Sequence, residues 1–78
     1  MKKITIECSA RLAASLTELA SRCTQADTGN DGSTTHGPLD VESLLMLLAE
    51  DAGMVVPRPG SWEGANMSQV LCSHGYDL

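Results

Sequence analysis

The residues with the most chemistry to offer stand near the C-terminus. Cys72 and His74 are two positions apart in the run RPGSWEGANMSQVLCSHGY, residues 58–76, which also holds the only tryptophan, Trp62, and the only tyrosine, Tyr76. A thiol beside an imidazole can act as a nucleophile with its base, or as two ligands of a zinc ion. The spacing serves neither purpose. Two residues at i and i+2 of a helix point in different directions and do not touch. A zinc site wants paired ligands on both halves of the chain, whereas Cys8, Cys23 and His36 are scattered. The glycines of residues 29–37 lack the preceding strand and following helix start that would aim backbone N–H groups at a phosphate. No catalytic residue, metal ligand or cofactor follows from these positions, and the chain reads as a non-enzyme.

The carboxylates say more. The chain carries ten Asp and Glu against five Lys and Arg, for a net charge of −5. Residues 1–26 hold Lys2, Lys3, Arg11 and Arg22 against Glu7 and Glu18, a balance of +2. Residues 27–78 hold only Arg58 against eight acids, a balance of −7. Such asymmetry governs steering and partner choice rather than fold. The acidic part should repel nucleic acid and attract basic protein surfaces. Glu42, Glu50, Asp51 and Glu63 fall in segments with helical periodicity and are the candidate partner-binding acids. Asp40 is partly committed to capping, and Asp27 and Asp31 lie in a loop that would have to be ordered on binding. Trp62 has two readings, a core side chain replacing the absent phenylalanines or an exposed interface anchor.

Six segments must position these groups. KKITIEC, residues 2–8, alternates Ile4 and Ile6 with Lys3, Thr5 and Glu7, the period of a half-buried strand. Ser9 then caps a helix over about residues 10–24, in which Leu12, Leu16, Leu19, Ala20 and Cys23 form one apolar stripe. Residues 25–38, QADTGNDGSTTHGP, hold no large apolar side chain and read as a flexible internal loop, replaceable by a short linker with little loss of stability. A second helix opens at Asp40, and four leucines within five positions predict burial on more than one side. Gly53 is its expected stop, leaving Met54–Val56 as a second short strand. Ser61 caps a third helix whose Met67, Val70, Leu71 and His74 share a face, and Gly75 is expected just past its end.

The expected architecture is therefore a single small α+β domain over residues 1–78, mostly helical, with one N-terminal strand and three helices. A chain of 78 residues with no Phe builds a thin core, which favours self-association, and a homodimer through the N-terminal strand is expected. Three cysteines, an odd number, and no apolar run near the length of a bilayer span point to a cytoplasmic protein.

Two resemblances add expectations. Strand KKITIE, helix SARLAASLTELASRC and helix LDVESLLMLLAEDAG resemble the order of ribbon-helix-helix DNA-binding proteins, in which paired strands would turn Lys3, Thr5 and Glu7 to the major groove. The long helix connection departs from that family, and Asp40 and Glu42 have the wrong sign for the phosphate its second helix binds. Arg58–Met67 and Ser73–Tyr76 resemble segments of small phage and conjugative-element proteins. That resemblance implies no activity of its own, but short acidic proteins of this setting include inhibitors of host defence. The expected function is inhibition of a host defence complex, a CRISPR effector being the most concrete target, by covering a basic surface. The alternative is a dimeric DNA-binding regulator.

Overall fold

The computed structural model describes residues Met1–Leu78 and contains three helices and no β-sheet. They are α1 (Ala10–Gly29), α2 (Val41–Ala52) and α3 (Trp62–Ser73). The chain divides into two compact units, Met1–Glu42 and Ser43–Leu78. No helix is long and apolar enough to cross a membrane.

The expected α+β class is overturned, because neither strand forms. Residues 1–9 are exposed and carry no regular structure, with Ile4 at 89% and Ile6 at 74% of full exposure. Their alternation meets the side-chain requirement of a strand, but a strand also needs a neighbour for its backbone N–H and C=O groups. The chain offers none. At Met54–Val56 the backbone turns instead. The Met54 N–H donates to the Asp51 carbonyl at 3.1 Å and the Val55 N–H to the Ala52 carbonyl at 3.2 Å, which continues the helix exit as tight turns.

In the first unit, α1 starts where Ser9 predicts. The Ser9 side chain is extended at its backbone and its Oγ accepts from the Leu12 N–H at 3.1 Å. The helix does not stop near residue 24 but runs five residues further, through Gly29. Thr24 and Thr28, which compositionally suggest a loop, donate their hydroxyls to carbonyls four residues back, at 3.1 and 3.2 Å. That removes the competition such side chains otherwise offer to the helix. Termination comes at Asn30–Gly32. The Asp31 N–H donates to the Thr28 carbonyl and the Gly32 N–H to the Asp27 carbonyl, while Asp31 takes φ 55°. This is a Schellman closure with an aspartate in the left-handed position usually held by glycine.

The covered face of α1 is rotated from the leucine stripe. Ala13, Leu16, Ala20, Cys23, Thr24 and Asp27 are the covered or half-covered positions, with Ala20 and Asp27 the buried ones. Leu12 and Leu19 remain 48% and 45% exposed. Beyond the helix, the segment 30–39 is tied back to it. The Thr34 hydroxyl donates to the buried Asp27 carboxylate and accepts from the Gly37 N–H at 3.1 Å. The Leu39 N–H donates to Thr24 Oγ1 at 2.9 Å, and the Leu39 carbonyl lies 3.0 Å from the same hydroxyl.

In the second unit, only Leu44 and Gly64 are buried. Helix α2 thus buries Leu44 alone, against the expectation from its leucines of burial on more than one side. Leu45 and Leu47 are half-buried, and Met46 and Leu48 are exposed. Helix α3 matches its sequence signals at both ends. Ser61 Oγ accepts from the Gly64 N–H at 3.1 Å. At the other end Gly75 takes φ 93°, its N–H donating to the Cys72 carbonyl at 2.9 Å and the Tyr76 N–H to the Leu71 carbonyl at 3.0 Å. That is the full Schellman pattern with glycine in the left-handed place.

Candidate binding face

The structure sorts the five candidate partner-binding residues by helix face. On α2, Glu42 and Glu50 are exposed and eight residues apart, so they lie on one side, separated by about 12 Å along the axis. Met46, 60% exposed, sits midway between them at i+4. Asp51 follows Glu50 by one residue and is therefore rotated by about 100°, onto the side that carries Leu44 and Leu47. It is half-buried there. Glu50 and Asp51, adjacent in sequence, do not act as one acidic pair.

A similar split occurs on α3. Its covered side holds Gly64, Met67, Ser68 and Leu71, and Glu63 is half-buried at the margin. Trp62 points the other way, with Asn66, Gln69 and Ser73, and is 64% exposed. The reading of Trp62 as a core side chain does not hold. An indole this exposed at the first helical position is an apolar surface with one N–H donor.

The remaining chemistry-bearing residues do not converge. No group of three His, Cys, Asp or Glu side chains is arranged to hold a metal ion. Cys8, Cys23 and Cys72 are free thiols, the first and last exposed. The two acids expected in the loop differ from each other, Asp27 lying within α1. Asp31 is exposed, whereas Asp27 is 7% exposed and engaged by Thr34, so it serves the first unit's internal structure.

What the sequence reading missed on this face is Met46. The spacing Glu42–Met46–Glu50, i, i+4, i+8, is legible in the sequence and puts an apolar side chain between two acids. No family model, curated protein or solved structure matches the chain.

Proposed function

We propose that the protein is a non-enzymatic inhibitor of the kind carried by mobile genetic elements, an anti-CRISPR protein that covers a basic surface of a host defence complex. The observation carrying this reading is the exposed line Glu42–Met46–Glu50 on α2. Two carboxylates about 12 Å apart offer acceptors to Lys or Arg, and the methionine between them adapts its shape to an irregular apolar contact. Trp62 provides a second contact of a type enriched among binding hot spots. Asp51 and Glu63, each half-buried, contribute at the margin, where charge pairs add little affinity.

Plating of a phage on hosts whose CRISPR systems target it tests the reading. Expression of the protein should restore plating in at least one such host, and the E42K/E50K double variant should abolish the restoration while remaining helical by circular dichroism. W62A should weaken it. Protection that survives both E42K/E50K and W62A would refute the acidic-line mechanism, and failure to protect in every system would refute the function.

A further inference from the structure

Helix α1 presents a line that is complementary to itself. Leu12 and Leu19 are seven residues apart, so they lie on one side of the helix, about 10.5 Å from each other along its axis. Both stay nearly half exposed, because the covered side of α1 is the one bearing Ala13, Leu16 and Ala20. Each leucine is preceded by a charged residue, Arg11 before Leu12 and Glu18 before Leu19. The two charges, also seven apart, therefore occupy the same flank of the leucine line and have opposite sign. The arrangement is a leucine with a cation beside it, then two turns later a leucine with an anion beside it.

We propose that a second copy of the chain docks on this line, with the two α1 helices antiparallel and Leu12 of each across from Leu19 of the other. A two-fold axis perpendicular to the helices generates the pairing and keeps the charged flanks on the same side. Arg11 of one copy then stands within two residues of Glu18 of the other, about 3 Å of axial offset, and the contact occurs twice. A parallel pairing sets each charged flank against the opposite, uncharged flank and gains nothing. This match of charge and apolar spacing selects another copy as the occupant over an unrelated partner. Glu18 can take part while keeping its own helix contact. Its Oε1 accepts from Arg22 Nε at 3.0 Å, both side chains being well exposed, and the carboxylate has a second oxygen for Arg11 of the second copy. The N-terminal segment need form no strand for this dimer.

Sedimentation equilibrium of the full chain tests the proposal. The wild type should sediment at twice its 8.2 kDa mass in the micromolar range. L19D should sediment as the single chain with unchanged helical circular dichroism. R11E should raise the dimer Kd by about tenfold through two symmetric like-charge contacts, and R11E/E18R should bring it back towards the wild-type value. Should L19D fail to fold, the charge swap decides alone, since both positions are exposed. A wild type that stays monomeric up to 100 µM on this same order of concentration scale, or a dimer whose Kd ignores R11E, overturns the proposal.

Discussion

Gly64 sits in the first turn of α3 where a β-carbon would lie 2.6 Å from the carbonyl oxygen of Arg58. The same β-carbon would be 3.1 Å from the Met54 carbonyl and 3.1 Å from Ser61 Oγ. That carbonyl of Arg58 cannot retreat freely, since it accepts from the Ser61 N–H at 3.1 Å and from Ser61 Oγ at 2.7 Å. The missing side chain thus lets the turn after α2 lie directly against the start of α3.

Gly64→Ala should therefore destabilise the protein even though alanine is the better helix former. The clash is with backbone, and overpacking of this kind costs about 1–3 kcal/mol, more than the ~1 kcal/mol of helix propensity gained. Gly29→Ala is the matched control. A β-carbon there meets nothing within 4 Å, and the residue is helical. Urea denaturation should show a lower midpoint for the first variant and a higher one, by roughly 0.5–1 kcal/mol, for the second. Equal and positive shifts would show that the turn moves without cost.

Asp31→Gly should stabilise the first unit. Asp31 holds φ 55° at the end of α1, a conformation glycine adopts without the β-carbon penalty. The change also removes a negative charge from the negative end of a helix. A gain of about 0.5–1 kcal/mol in thermal or urea unfolding is expected. A loss would mean that the aspartate side chain makes a contact worth more than its strain.

Thr34→Val should cost about 1–3 kcal/mol, because the buried Asp27 carboxylate loses its donor and the Gly37 N–H its acceptor in one step. Thr34→Ser keeps the hydroxyl and should stay close to the wild type. The same network changes what a linker replacement of residues 25–38 would do. It removes the last turn of α1 and Asp27 together, so a clear loss of stability is expected where the sequence alone predicts little change. Hydrogen exchange at the Gly37 and Leu39 amides reads the effect locally, and fast exchange in the wild type would contradict it.

Charge reversal on α2 should separate its two sides. E42K and E50K act on the exposed line and should weaken partner binding strongly, E42K with little effect on unfolding. D51K acts on a half-buried position among leucines, and it should lower stability at least as much as binding. Added salt should weaken the wild-type complex, since the Debye length falls from about 10 Å at 0.1 M to about 3 Å at 1 M. A complex insensitive to salt and to E50K would shift the weight of recognition to Trp62.

What could be read from the sequence was local chemistry with one geometric answer. Ser9 and Ser61 at N-caps and Gly75 past α3 appear where they were expected, because a cap involves only residues a few positions away. The three helices follow for the same reason. KKITIEC misled because strand periodicity describes side chains, while strand formation depends on a backbone neighbour that no local pattern can supply. The end of α1 lies five residues beyond the sequence expectation because composition treats Gly, Asp and Thr alike, whereas the stop is set by two consecutive left-handed residues, Asp31 and Gly32. Among the site residues, the sequence groups Glu50 with Asp51 and Trp62 with Glu63. Adjacent helical residues diverge by about 100°, so adjacency is a poor guide to a shared face. Glycine is costly inside a helix, and what requires it at position 64 is a carbonyl six residues away in a turn, which no local pattern shows.

Thr24 and Leu39 hold one another through a single hydroxyl, fifteen residues apart. The chain between them therefore forms a closed ring whose mouth is set by that contact and which the Asp27–Thr34 contact ties once more across. Residues Ser33 to His36 are exposed at its outer edge, with the Thr34 hydroxyl turned inward to Asp27. Doubling the length of such a ring costs only about 0.6 kcal/mol in closure entropy. A peptide tag or a fluorescent reporter spliced between Ser33 and Thr34 would leave the Gly37–Thr34 and Thr35–His36 contacts each within one unbroken segment, which makes this junction the natural handle for following the protein inside a cell.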